Sequence, residues 1–344
     1  MQLLAQLKGA IAPIVSRIKP YLRWLILGGT LFFLIHTLRQ HWQDVAAIRI
    51  DGTGWGLLAI ALLITLLAHV WAGWVWGWIL EELGYDALGT WSVSAYLKTN
   101  IAKYLPGNVW HFYGRVMAAT SVGVPLDGAA VSVVMEPLLM AIAALIVAFI
   151  SNQRLNIWLQ LIGLFIGLTL IHPSVMNPIL KKLAAAKSKL KPGKSEPSGN
   201  TPSPSSLSPS SPLTSSPSPS PPPPPTEPAT LKKYPLLPLI GELLFLVMRG
   251  AGFIGAVMAL HPVEWGNVLP LLSAFSLAWM LGLVVPGAPG GIGVFEATAL
   301  ALLDGSLPSG ILLGAVAFYR LVSTLAEALG AGLAWGADKA LRQT

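Results

Sequence analysis

The chain runs to 344 residues, of which 54% are hydrophobic and only 11% charged, with a formal net charge of +7 and no cysteine. Soluble domains carry about 25% charged residues, so too few charges remain here to cover a water-facing surface, and an ordinary cytosolic enzyme is excluded. The apolar content equally excludes wholesale disorder. Without cysteine there is no disulfide framework, thiol nucleophile or Cys-based metal site. The positive excess reads as Lys/Arg on the cytoplasmic side of a membrane, in contact with anionic lipid. Nucleic acid is not an expected partner, because no basic patch is interleaved with aromatics.

In chain order, residues 1–21 form a basic amphipathic lead-in with Lys8, Arg17 and Lys19. An apolar run from Leu22 to Leu38 is long enough to span. It is read as a helix rather than a signal peptide, because the residues that follow (Arg39, His41, Trp42) are bulky and charged instead of small. The run Trp55–Leu80 holds Trp71, Trp74, Trp76 and Trp78, a bunching that suggests an interfacial belt. Residues 92–125 carry Asn100, Lys103, Pro106, Gly107, Asn108, His111 and Arg115, which no lipid-exposed helix tolerates. This stretch is therefore either a surface loop or a broken, re-entrant element. Ala129–Ile150 and Ile157–Ile171 are the next two spans, joined by a short turn near Asn152.

Residues 172–234 break the pattern. Eight lysines face only Glu196 and Glu227, and half of the chain's 28 prolines lie between Pro192 and Pro228. A Pro/Ser tract of this kind buries nothing and reads as a disordered cytoplasmic linker with polyproline II character. Spanning runs resume at Leu236–Leu260 and Val268–Val285, followed by a Pro/Gly loop over 286–293, a short apolar segment Ile292–Leu303 and a long run Ile311–Trp335. The expected fold is thus an all-α polytopic bundle of about seven spans with one or two broken or re-entrant helices. Its first transmembrane half covers residues 22–171 and its second 235–344. The Lys/Arg bias puts the N-terminus and the 172–234 loop in the cytoplasm, in a plasma (inner) membrane.

Charged and helix-breaking residues inside such a bundle are functional candidates by default. Pro106 and Gly107 break a helix beside Asn100, Lys103 and Arg115, which suits a phosphate. The competing reading is a basic loop touching headgroups. Pro286–Ala297 packs Gly287, Gly290, Gly291 and Gly293 before a buried carboxylate, Glu296, which is more glycine than a plain turn needs. Glu136 precedes Pro137. Glu242 and Arg249 lie seven residues apart, as do Arg320 and Glu327 in the opposite order, so each pair shares a helix face. If those two helices run antiparallel, Glu242 would meet Arg320, or Glu327 would meet Arg249, as a structural lock or as part of a headgroup pathway.

No HxxxH, HExxH or GxSxG pattern occurs, so no metal site, cofactor or catalytic residue is expected. His69 reads as a bundle-facing residue whose bonds are met.

The two broken elements carry a family resemblance. Asn100, Pro106, Gly107 and Arg115, then the run Pro289–Gly290–Gly291–Ile292–Gly293–Val294–Phe295–Glu296–Ala297 and Arg320, resemble the signatures of the lysylphosphatidylglycerol synthase transmembrane-domain family. Two departures stand out. Asn108, Trp110 and His111 occupy a stretch where relatives often have an acidic residue, and Glu136–Pro137 replaces a frequent Glu-Arg pair.

The resemblance implies a flippase-like membrane domain that binds and translocates an amphipathic lipid, with a phosphate- or sugar-bearing headgroup. The aminoacyl-transfer domain of the bifunctional synthases is not expected in a chain ending at Thr344. The alternative is an accessory to polyprenyl-phosphate-linked or glycolipid glycosyl transfer, working beside a glycosyltransferase or lipid-modifying partner. A third is a scaffold whose working part is the linker.

Overall fold

The computed structural model describes residues 39, 43, 49–86, 89–104, 109–151, 156–178, 180–181, 230–285, 291 and 293–341. The expected span at 22–38, the Pro/Ser tract, and Pro106, Gly107 and Gly290 lie outside them.

Every regular element among the described residues is helical. Helix α1 (Gly52–Glu82) starts where the Asp51 carboxylate accepts the Gly54 N–H at 2.7 Å, and stops where Gly84 adopts φ +91. At 1.5 Å per residue its 31 residues rise about 46 Å, more than a bilayer core. Two short helices follow. Helix α2 (Thr90–Asn100) continues into a 3₁₀ turn (Ile101–Tyr104), and α3 (Trp110–Ser121) packs back against α2. A Cβ on Gly114 would lie 3.0 Å from Thr99 Cγ2, so the two arms are in close contact. Their rises of about 16 and 18 Å are each roughly half a bilayer core. The described residues on either side of 105–108 are thus helical arms packed on each other, and 105–108 themselves lie outside the described residues.

Helices α4 (Leu126–Ser151) and α5 (Ile157–Leu170) complete the first half. The second half supplies α6 (Leu236–Met258), α7 (Trp265–Val284), the short α8 (Val294–Leu303) and α9 (Ser309–Leu341). Among the described residues five helices, α1, α4, α6, α7 and α9, are long and apolar enough to cross a membrane, and the chain is a multi-pass membrane protein. Helix α5 differs from expectation. Its 14 residues rise only about 21 Å, short of a bilayer core, because the apolar run ends at His172 and Pro173.

The two halves form one bundle. Helix α1 packs most extensively against α6 across the linker, and α4 packs against α7. Small residues permit the α1–α6 approach, since a Cβ on Gly252 would sit 2.5 Å from Thr65 Oγ1. Apolar side chains face outward and charged ones inward, as in a membrane protein. Leu63, Phe165 and Leu333 are exposed, whereas His69, Arg115, Glu136, Glu242, Arg249, Glu296 and Glu327 are buried. Trp76 departs from the expected interfacial belt. It is wholly buried, stacked on Trp91 and donating its indole N–H to Ser132 Oγ at 3.3 Å.

Candidate functional site

The half-length elements bring their polar residues to one place. Pro137 removes a backbone donor inside α4 next to Glu136, freeing the Val133 carbonyl from its usual partner. Arg115 on α3 donates to the Glu136 carboxylate, and its guanidinium lies 4.0 Å from the centre of the Tyr96 ring. Both members of the pair are buried, so each offsets part of the desolvation cost that the other would suffer alone.

The glycine-rich turn builds a second pair. Gly291 and Gly293 adopt φ +71 and +86, conformations costly for residues with a Cβ. A Cβ on Gly291 would lie 3.0 Å from Gly282 Cα, so glycine also lets the turn lie against α7. Gly293 caps α8. Its N–H donates to Glu296 Oε2 at 2.5 Å, while Glu296 Oε1 accepts from Arg320 Nε at 2.7 Å. Arg320 also donates to the Gly291 carbonyl at 3.0 Å. One carboxylate thus fastens the turn and one guanidinium fastens the turn to α9. This supplies a physical reason for glycines followed by Glu296 and Arg320.

A third cluster joins four helical elements. Lys103 Nζ lies 2.6 Å from Glu327 Oε1, and His69 Nε2 lies 3.2 Å from the same oxygen. Arg249 contacts His69 Nε2 at 2.9 Å and donates to Ser323 Oγ at 3.0 Å, and Ser323 in turn donates to Glu327 at 3.3 Å. His69 Nε2 serves one of its two neighbours at a time, since it either accepts from Arg249 or donates to Glu327. The anticipated link between Glu327 and Arg249 is therefore made through His69 and Ser323. The anticipated contact of Glu242 with Arg320 does not form, because Arg320 is taken by Glu296. Glu242 is fully buried with no hydrogen-bond partner on either carboxylate oxygen. His69 is only half satisfied, since its Nδ1 has no partner.

These groups surround a cavity of about 100 Å³. Lys103, Arg115, Arg249 and Arg320 all line it, together with Asn100 and Gly291. Its apolar side is aromatic. Tyr96, Phe112, Trp279, Phe295 and Tyr319 line it; behind them Phe253 and Phe275 pack against Phe295 and Tyr319 at centroid distances of 5.4–6.1 Å, and Arg249 and Arg320 lie over the Tyr319 and Phe295 rings.

Of the expected residues, Asn100, Lys103, Arg115, Glu136, Arg249, Gly291 and Arg320 meet at the cavity. Glu296 and Glu327 hold its cations, Gly293 holds Glu296, and Glu242 lies apart from the lining. Sequence reasoning missed Tyr96, Trp279, Tyr319 and Ser323. Their signal was periodicity, since Tyr319, Ser323 and Glu327 recur every four residues, one face of a helix, and Tyr96 stands four before Asn100. The described residues hold no group of His, Asp or Glu arranged to bind a metal ion.

Residues 10–330 match the sequence profile of the family described as Lysylphosphatidylglycerol synthase TM region. A comparison with curated proteins found no match.

Proposed function

The chain belongs to the lysylphosphatidylglycerol synthase TM-region family, and we propose that within it this multi-pass membrane protein binds an amphipathic lipid by an anionic, phosphate-bearing headgroup and translocates it across the bilayer. The observation that carries the reading is the cavity, where four cationic side chains from both halves converge at an aromatic wall inside an apolar bundle. A headgroup needs the cations, and the first acyl carbons need the apolar side.

The supply of donors exceeds the acceptors built to meet them. Arg249 bonds to the neutral partners His69 and Ser323, and the Nε atoms of both Arg115 and Arg249 are buried without a partner. Buried donors left unpaired are costly, and a phosphate offers several strong acceptors with matching charge. Arg320 and Glu296 hold the glycine turn at the cavity edge, and Asn100, Lys103 and Arg115 line it from the two short helical arms of the first half. Broken helices at corresponding positions in two halves are the usual construction of a transporter site. In this reading the N-terminus and the 172–234 loop lie on the cytoplasmic side, where their lysines meet anionic lipid.

Mass spectrometry of lipids that co-purify with the detergent-extracted protein tests the binding step. A phosphate-bearing lipid retained by the native protein and depleted in Arg320→Gln is expected. The same lipid at the same occupancy in Arg320→Gln would remove Arg320 from the site.

A further inference from the structure

We propose that Asn100 and His111 form a hydroxyl-binding subsite beside the cations of the cavity, so that the lipid bound there is a phosphodiester whose headgroup is a polyol, glycerol or a sugar. This rests on the headgroup reading above and names the class of headgroup.

The two residues come from the two short arms of the first half. The Tyr96 ring on α2 lies 4.0 Å from the Arg115 guanidinium on α3. Asn100 stands four residues after Tyr96, and His111 four before Arg115. Residues four apart share a helix face. The arms run in opposite directions, since Thr99 approaches Gly114 while Tyr96 approaches Arg115. Asn100 and His111 therefore occupy the next level of the face the arms share, about 6 Å beyond the Tyr96–Arg115 contact. Both line the cavity.

Both side chains are enclosed, with Asn100 at 6% and His111 at 5% exposure. The fold uses neither of them. His111 Nδ1 is buried without a hydrogen-bond partner, and the Asn100 amide bonds to no described residue. Enclosed polar groups are costly until something bonds to them. The imidazole stands one turn from Arg115 and pairs with no carboxylate among the described residues, so it is in its neutral form.

The chemistry of the absent partner follows from what these two groups offer. A carboxamide and a neutral imidazole each present a donor and an acceptor. Phosphodiester oxygens only accept, so a phosphate here would leave the amide carbonyl and one ring nitrogen unmet. An ammonium only donates, and it would stand among four cations. The carboxylates that could answer it are engaged, Glu136 with Arg115, Glu296 with Arg320 and Glu327 with Lys103. A hydroxyl both donates and accepts, and so meets both residues. The headgroup is then divided between the halves. Arg249 of the second half, bonded to the neutral His69 and Ser323, takes the phosphate. The arms of the first half take the polyol.

The test is titration calorimetry of short-chain lipids into the full-length protein in detergent. Dihexanoylphosphatidylglycerol and dihexanoylphosphatidylinositol are compared with dihexanoylphosphatidylethanol, which keeps the phosphodiester and its charge but has no headgroup hydroxyl. At least one of the polyol lipids should bind the native protein about tenfold more tightly than phosphatidylethanol, because a site built to bond a hydroxyl rejects the analogue lacking it. Dihexanoylphosphatidylethanolamine should bind no more tightly than phosphatidylethanol. These comparisons need no variant. In Asn100→Leu and in His111→Phe the preference for the polyol lipid should fall toward parity. A merely structural role would lower every affinity together and leave the preference standing.

Equal native affinity for the polyol lipids and phosphatidylethanol, tighter binding of phosphatidylethanolamine, or a preference that survives both substitutions would overturn the hydroxyl subsite while leaving the headgroup reading in place. Absence of binding by all four lipids would overturn both. Affinity for glycerophosphoglycerol, the headgroup without chains, equal to that for phosphatidylglycerol would overturn the assignment of the ligand to lipid.

Discussion

Arg115 and Glu242 show what a buried charge costs with and without a partner. Removing one member of a buried ion pair strands the other, at a cost of about 3–5 kcal/mol. Arg115→Leu should therefore lower the thermal unfolding midpoint in detergent steeply. Adding Glu136→Leu should recover much of the loss, and a double-mutant cycle measures the difference. If the two losses simply add, the pair is not a coupled unit. Glu242 predicts the reverse. It makes no hydrogen bond, so Glu242→Leu should raise the unfolding midpoint, by about 1 kcal/mol or more on the precedent of buried charges replaced by apolar residues. A destabilised Glu242→Leu protein would mean that the carboxyl has a structural partner. Much of the residue-scale site was legible beforehand. Glycines with φ above zero, a carboxylate in the first turn of α8 and an arginine on the next helix announce themselves in the sequence. Which cation each carboxylate takes was not legible. Arg320 was matched to Glu242 on spacing alone, whereas the glycine turn gives it Glu296 at 2.7 Å.

Among the elements, close helix approach sets a second prediction. The α1–α6 crossing is built on Gly252, where an added Cβ meets Thr65 Oγ1 at 2.5 Å. Gly252→Val should destabilise by about 1–3 kcal/mol through overpacking. Gly266→Ala, where nothing lies within 4 Å, should have little effect on the same melting curve. Equal shifts would show that α1 and α6 do not meet as described. Helix positions were readable because long apolar runs have few alternatives. Helix α1 was expected over Trp55–Leu80 and covers Gly52–Glu82. Helix α5 and Trp76 were misread for one reason, which is that hydropathy reports burial without saying what does the burying. The apolar run at α5 is too short to cross a bilayer, and the ring of Trp76 lies against protein instead of at the membrane interface.

At the scale of the whole molecule, the linker separates residues that the fold reunites. Glu327 and Lys103 meet although 224 positions separate them, so the halves assemble the site jointly. A Pro/Ser tract in that position has only to reach. Deleting residues 195–228 should leave lipid translocation within about twofold of native, since loop-length changes alter chain entropy only slowly. Loss of activity in the deletion would favour the scaffold reading, in which the linker is the working part.

On the proposed function, lipid passes through the cavity between the two halves. The most direct measurement is the rate at which a fluorescent phospholipid changes leaflet in proteoliposomes containing the native protein or Arg320→Ala. Translocation by the native protein well above protein-free vesicles is expected. Arg320→Ala should be slower by at least about thirtyfold, the equivalent of roughly 2 kcal/mol for truncating one partner of a partly buried charge contact. A native-like rate in Arg320→Ala, or no translocation above protein-free vesicles by the native protein, would contradict it.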